Sequence, residues 1–239
     1  MKTLYIDCTN GVSGDMVLRA LCDLAGTAGV DAPLVQVQEH EHHHHHDHDH
    51  GHHHDHEHHG RSYEDVKAII DSQEQFTAKA RQTARGIYAV IAKAEAGVHG
   101  MTLETVHFHE VGRDQAIANA LGIGAALDII GPDRILVSKI NDGKGFVDCA
   151  HGRIPVPVPA VQAMMDECGK TYPALRFDTC ADVDTEMVTP SGLAAVIGIG
   201  AKPADSGMMF MEGRLTAETE AKGTRDTGRG GLRVYIIET

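Results

Sequence analysis

Thr3-Leu4-Tyr5-Ile6-Asp7, then Asn10-Gly11-Val12-Ser13-Gly14-Asp15, then Val17, Ala20, Leu21 and Leu24 decide the fold class. The first five residues alternate and are rich in β-formers, so they read as a strand. The next six are turn formers by composition. The last four recur at i, i+3, i+4 and i+7, one face of a helix, and the pattern ends near Gly26. Strand, glycine-rich turn and helix in that order open an α/β fold.

The alternation continues outward. Ser62 with Asp65 forms a capping box ahead of Val66, Ile69 and Ile70. Ala84, Ile87, Tyr88, Ile91 and Ala92 mark a second helix that stops at Gly97 to Gly100. Val106 to Gly112 has strand-like alternation. Ile117, Ala120, Leu121, Gly124 and Ala125 predict a small-residue helix, able to pack closely and ending at Gly131-Pro132. Arg134 to Ser138 and Gly145 to Cys149 read as short strands, the second running into Ala150-His151-Gly152. Ile154-Pro155-Val156-Pro157-Val158-Pro159 has proline at every second position, so it is extended or an edge segment. Helices follow from Ala160 to Cys168 and, after Thr189-Pro190-Ser191-Gly192, from Leu193 to Ile199. The tail holds a methionine-rich strand candidate and a final strand, Leu232 to Ile237. The predicted class is α/β, a mixed sheet with flanking helices. Residues 1–30 and 61–205 form one domain, 31–60 a disordered insertion, and 206–239 the start of a second domain.

At 239 residues and 42% hydrophobic, the chain can bury a sizeable core. With no tryptophan and 4% aromatics, that core is built from Ala, Val, Ile, Leu and Met. A formal net charge of −13 argues against a nucleic-acid partner. No apolar run approaches the ~20 residues a membrane span needs. Met1 to Asp7 lacks the basic start and apolar stretch of a signal peptide, so the expected compartment is the cytoplasm. Cys8, Cys22, Cys149, Cys168 and Cys180 are scattered and include no C-x-x-C pair, which reads as reduced thiols.

Fourteen of the 18 histidines lie between His40 and His59, mixed with Glu41, Asp47, Asp49, Asp55 and Glu57. Without those five acidic residues the charge of the chain is −8. Such a tract cannot bury apolar area to offset its ordering entropy. Its imidazoles are mostly neutral at pH 7 and suit zinc, copper, iron or nickel; the carboxylates attract a dication. The ligands are His42, His43, His44, His45, His46, His48, His50, His52, His53, His54, His56, His58 and His59. A loose set of this kind collects and delivers metal rather than catalysing.

Three further features carry chemistry. In a strand, His107 and His109 of His107-Phe108-His109-Glu110 share one face, about 6.5 Å apart, and His151 or Cys149 completes a metal site. A pair of histidines capping a turn is the bland alternative. Asp7 beside the turn that holds Ser13, Gly14 and Asp15 sits where α/β folds bind ligands, although simple helix capping explains the same residues. Thr189 and Ser191, and Arg225 in Gly223-Thr224-Arg225-Asp226, combine hydroxyls with a planar fork suited to phosphate or carboxylate.

Taken together, Leu4 to Met16, the histidine-rich insertion, Val98-His99-Gly100, Val106 to Gly112, Cys149 to Pro157, Thr189 to Gly192 and Gly223 to Asp226 resemble, in order, the LarC family. These are the nickel-insertion proteins of lactate racemase maturation. The resemblance implies nickel insertion into pyridinium-3,5-bisthiocarboxylic acid mononucleotide, forming two Ni–S bonds and one Ni–C bond, in a lyase-class chelatase. It implies Ni²⁺, and CTP hydrolysis with Mn²⁺ or Mg²⁺. It also implies a second, ferredoxin-like domain that carries the nucleotide site and is missing here. The partners implied are that substrate, CTP, the second half, lactate racemase apoprotein and further copies of the chain. Making a Ni–C bond requires a base for the ring proton. Glu110 and Asp7 are the candidate bases, and His107, His109 and His151 the folded nickel ligands. Ser13, Gly14, Asp15, Thr189, Ser191 and Arg225 are the candidate substrate contacts. Two other readings stay open: a nickel or zinc storage protein without catalysis, and a metal-dependent phosphate-ester enzyme using Asp7 and Asp15.

Overall fold

The computed structural model describes residues 1–26, 60–149, 152–205 and 213–239. β1 (Lys2–Asp7) enters a tight turn and then α1 (Gly14–Leu24). Next come β2 (Arg61–Ser62), α2 (Tyr63–Ser72) and the long α3 (Ala78–His99). β3 (His107–Phe108), α4 (Asp114–Ile130), β4 (Arg134–Val137) and β5 (Ile140–Asp142) follow. β6 (Phe146–Cys149) pairs antiparallel with β7 (Gly152–Pro155), ahead of α5 (Pro159–Glu167), β8 (Phe177–Thr179) and α6 (Pro190–Gly198). β9 (Lys202–Pro203), β10 (Arg214–Ala221) and β11 (Leu232–Glu238) complete the order.

The main sheet runs β10-β11-β1-β4-β9 and is mixed. β1 is parallel to β4 and antiparallel to β11. Leu4, Tyr5 and Ile6 of β1 are fully buried. A strand flanked on both edges and covered on both faces reads as an apolar run. The helices pack beside the sheet and on one another, α3 against α4 and α6, α1 against α4 and α6. One large cluster of Val, Ile, Leu, Ala and Met side chains joins them to the sheet.

Local chemistry sets the helix ends. Ser13 Oγ accepts the Met16 N–H at 3.2 Å and starts α1. The Ser62–Asp65 capping box is made in both directions. α3 and α4 stop at Gly100 and Gly131, both left-handed. Gly124 on α4 lies so close to α3 that a Cβ there would stand 2.4 Å from the Ala80 carbonyl oxygen. At Gly11 the turn demands φ of +86°, and a Cβ would lie 2.3 Å from the Met187 carbonyl oxygen.

Two expectations are corrected. The sequence reading assigns 206–239 to a second domain; within the described residues the tail instead completes the first sheet. Every residue of β1 is paired with one of β11, from Lys2 with Glu238 to Asp7 with Arg233. The apolar residues Leu232, Val234 and Ile237 are buried there. No ferredoxin-like unit is formed by these strands. The H-x-H strand is also shorter than expected: β3 ends at Phe108, because the turn that begins at Glu110 (Arg113 N–H to Glu110 O, 3.2 Å) takes over. The expected insertion and the methionine-rich strand lie outside the described residues. No helix among the described residues is long and apolar enough to cross a membrane.

Candidate functional site

The N-termini of α1 and α6 lie side by side because the loops before them pair. Val12 N–H donates to Met187 O at 2.9 Å, and Thr189 N–H donates to Val12 O at 3.0 Å. Ser13 caps one helix, and Thr189 caps the other by accepting the Gly192 N–H at 3.1 Å. Asp142 holds this arrangement from beneath. Its Oδ1 accepts the N–H groups of Gly143 (2.8 Å), Met187 (2.8 Å) and Val188 (3.1 Å). Its Oδ2 is buried without a hydrogen-bond partner. Burial pushes the Asp142 carboxyl above its ordinary value, against the opposing pull of those three N–H groups.

In front of the paired helix ends lies a cavity of about 550 Å³. Gly14, Asp15, Thr189, Ser191 and Arg225 border it on one side, and His109 and Glu110 on another. Ile87, Tyr88, Ile91 and Ile123 supply apolar wall from α3 and α4. Val147, Cys149 and Ile154 of the β6–β7 pair close a further side. A volume of this size is within the usual range for a small-molecule site. A second cavity of about 290 Å³ shares Glu186, Thr189 and Arg225 with the first. Ser13 lines only the second.

The histidine loop is positioned by Phe108, which is 1% exposed and meets the rings of Tyr63 and Tyr88 at 6.2 and 6.0 Å. Tyr88 Oη donates to Val111 O at 2.7 Å and fixes the far side of the loop. With Phe108 pointing inward, His107 and His109 are both exposed. His109 lines the large cavity, whereas His107 does not, and His107 Nδ1 is 2.7 Å from the Thr105 carbonyl oxygen. His151 and the tract from His42 to His59 lie outside the described residues. Among the described residues no group of three or more His, Cys, Asp or Glu side chains is placed to hold a metal ion.

Asp7 is not on either cavity wall. Its Oδ2 is paired with Arg233 Nη2 at 2.7 Å, and its Oδ1 accepts from Thr9 N–H (3.0 Å) and Oγ1 (2.7 Å). Both carboxylate oxygens of Asp7 are thus engaged within the protein. Asp15 is on the wall and accepts from Asn119 Nδ2 at 2.6 Å. Of the two carboxylates, Asp15 borders the cavity and Asp7 does not.

Glu95 and Glu186 on the wall are not singled out by the sequence, and His99 enters it only within Val98-His99-Gly100. Glu95 and His99 form an i,i+4 pair on α3, with Nε2 3.4 Å from Oε2. The spacing Glu95-x-x-x-His99 at a helix C-terminus is the signal that could have found them. Glu186 is paired with Arg225 Nη2 at 2.9 Å and its side chain is 11% exposed. Burial pushes its carboxyl up; Arg225 pulls it down, while Asp142 and Glu110 push it further up. No local pattern marks Glu186 beyond its place three residues before the Thr189 cap.

The glycine turn, the histidine loop and the basic loop of this α/β body share one cavity of a size usual for small-molecule sites. Over residues 4–236 the chain matches the nickel insertion protein family, and it belongs to that family. It is 34% identical over 248 residues to the pyridinium-3,5-bisthiocarboxylic acid mononucleotide nickel insertion protein of Acetivibrio thermocellus, covering 96% of this chain and 58% of the relative. It is 37% identical over 230 residues to the protein of the same name from Lactiplantibacillus plantarum, covering 82% of this chain and 52% of the relative. A putative nickel insertion protein of Geobacter sp. is 30% identical over 268 residues, with 100% and 66% covered. The chain thus spans between about half and two thirds of the length of these relatives. No solved structure matches it.

Proposed function

We propose that the chain inserts nickel into pyridinium-3,5-bisthiocarboxylic acid mononucleotide, the substrate named for its relatives. The observation that carries this reading is the convergence of His109, Glu110, Gly14, Asp15, Thr189, Ser191 and Arg225, far apart in sequence, on one cavity with an apolar wall. The substrate's two thiocarboxylates flank ring carbon 4. A nickel ion held by both sulfurs faces that carbon, so forming the Ni–C bond releases the carbon's proton. Two Ni–S bonds and one Ni–C bond form, and the metal is not oxidised or reduced. The apolar wall takes the ring. His109 passes nickel to the sulfurs, supplied from the histidine tract 42–59, and Glu110 takes the proton. Arg225 and the hydroxyls at the helix ends face the anionic groups of the nucleotide.

CTP with Mn²⁺ or Mg²⁺ enters this reading through the family resemblance. The carboxylates offered for such a cation, Asp7 and Asp15, are engaged by Arg233 and Asn119, and only Asp15 borders the cavity. They do not fit a resident divalent ion, and no step is routed through one. The nucleotide site, the lyase class, the remaining partner half, the lactate racemase apoprotein and self-association belong to the same proposal.

The test is incubation of the chain with Ni²⁺ and the dithiolated mononucleotide, with and without CTP and the polypeptide that completes the relatives' length. Mass spectrometry reads metal incorporation. Nickel-bearing product is the expected result; none under any of these conditions refutes the reading. Deleting residues 39–59 separates collecting from inserting. The deletion is expected to lower nickel stoichiometry while leaving product formation at high nickel. Loss of nickel binding with no product formed by the parent chain would favour storage.

A further inference from the structure

We propose that the smaller cavity is a phosphate-monoester subsite, in which the bound phosphate takes Arg225 away from Glu186 and leaves Glu186 to pick up a proton. The inference rests on the reading that the ligand is a mononucleotide. Its ground is the composition of the cavity wall. Lys222, Arg225 and Arg229 line it together with the hydroxyls of Ser13, Thr224 and Thr227. Among the described residues Lys222 has no carboxylate partner. Arg229 holds Asp182 through Nη2 at 2.7 and 2.8 Å, and Asp182 is itself largely exposed. Arg225 holds Glu186. Each arginine thus carries an internal carboxylate in the place where a bidentate anion fits. The capping oxygen of Ser13 already accepts the Met16 N–H, so its hydroxyl hydrogen is left to donate, while Thr189 Oγ1 shares a 3.1 Å hydrogen bond with Ser191 Oγ.

The shared wall fixes the direction of the ligand. Glu186, Thr189 and Arg225 border both cavities. With a phosphate in the smaller one and Arg225 drawn from Glu186, the ring extends past these shared residues into the larger one, which His109 and Glu110 also border. Ring carbon 4 is the atom farthest from the ribose, so it arrives at the end where metal transfer is needed.

The exchange at Arg225 has a consequence for protons. The Glu186 side chain is largely buried, and the charged groups that act on it are Arg225, Asp142 and Glu110. Arg225 favours its ionised form; burial and the two carboxylates oppose it. When a phosphate dianion occupies Arg225, only the opposing influences remain, and a second negative group has come close. Glu186 then binds a proton. Binding and proton uptake are linked, so the affinity for the phosphate falls as pH rises.

Calorimetry on the 239-residue chain tests this with two ligands, nicotinic acid mononucleotide and the phosphate-free nicotinic acid riboside. At pH about 7.5 the phosphate is already mostly dianionic, its second ionisation lying near 6. The mononucleotide is expected to bind at least about ten-fold more tightly, ~1.4 kcal/mol. Its binding enthalpy should vary with buffer ionisation enthalpy as uptake of up to about one proton requires. Glu186→Gln should keep the phosphate preference and lose the uptake; Arg225→Gln should lose the preference. Equal affinity for the two ligands, no binding of the mononucleotide, or proton uptake that survives in Glu186→Gln each overturns the subsite. Phosphate preference with proton uptake, in a chain that inserts no nickel, refutes the preceding functional reading and leaves the subsite standing. Nickel insertion without phosphate preference does the reverse.

Discussion

Removing the Asp142 carboxylate should damage the protein more than any surface change of equal size. Asp142→Ala strips one acceptor from three N–H groups, those of Gly143, Met187 and Val188. Asp142 is 6% exposed, so water does not simply replace it. A buried donor left without an acceptor costs about 1–3 kcal/mol. Three donors that share one acceptor relax together, and the expected loss is roughly 3–5 kcal/mol. For a chain of this length that corresponds to a drop in Tm of about 8–15 °C. Asp142→Asn keeps an acceptor oxygen at the Oδ1 position and puts an amide where the partnerless Oδ2 lies. It should lose far less. The parent also differs from both variants in pH dependence. Burial raises the native Asp142 carboxyl above its unfolded value of about 3.9, so the native state keeps this proton to higher pH than the unfolded chain does. The resulting contribution is fully present below that unfolded value and is lost as pH climbs through the raised native one. Neither Asp142→Ala nor Asp142→Asn can titrate at this position, so both lack this slope. Urea unfolding at several pH values, read as midpoint at constant m, measures both effects. An alanine variant within about 1 kcal/mol of the parent would refute the claim that Asp142 organises the loop before α6.

Gly11→Ala should destabilise by roughly 2–4 kcal/mol, because it combines a φ of +86° with a Cβ 2.3 Å from the Met187 oxygen; a denaturation midpoint unchanged from the parent would contradict the turn geometry. Phe108→Ala should cost about 3–5 kcal/mol in the same assay and weaken nickel transfer through His109, since Phe108 anchors that loop against Tyr63 and Tyr88. Iodoacetamide should label the half-buried Cys149 on the cavity wall in the native protein and leave Cys8 untouched, because burial pushes the Cys8 thiol far up; mass spectrometry showing equal rates would count against this. Ending the chain before Arg214 should abolish cooperative unfolding, whereas a truncated chain that still melts as one sharp transition would restore the two-domain reading.

What the sequence made legible was mostly local. The Ser62–Asp65 box, the stops at Gly100 and Gly131, and Thr189-Pro190 at a helix start each depend on residues within one turn of each other. Such signals survive folding because the tertiary structure rarely competes with them. The alternation His107-Phe108-His109 was also real, with Phe108 buried and both histidines outside. Alternation alone does not say where the two histidines lead: the strand ends after Phe108, and His109 borders the cavity while His107 does not. Strand character in Leu232 to Ile237 was readable, but its partner was not. Apolar alternation says that a strand has a covered face, and is silent on which edge it joins. Glu186 was invisible for a similar reason: it belongs to the site only because Asp142, 44 positions earlier, fixes the backbone that follows it.

The pairing of the chain's two ends also explains how the basic loop reaches the cavity. β11 lies antiparallel to β1 with Asp7 opposite Arg233, so the segment before Leu232 must sit beside the segment after Asp7. The first of those segments carries Lys222 to Arg229, and the second carries the turn to Ser13. Asn10 Nδ2 donates to Gly231 O at 3.2 Å, which ties the two together directly. Arg19 on α1 adds a second tie through Nη2 to Lys222 O at 2.7 Å. The Asp7–Arg233 pair, offered by the sequence as a catalytic carboxylate and an unremarked arginine, therefore does structural work. It locks the register of the sheet at the end nearest the cavity, and that register sets where Arg225 meets Glu186.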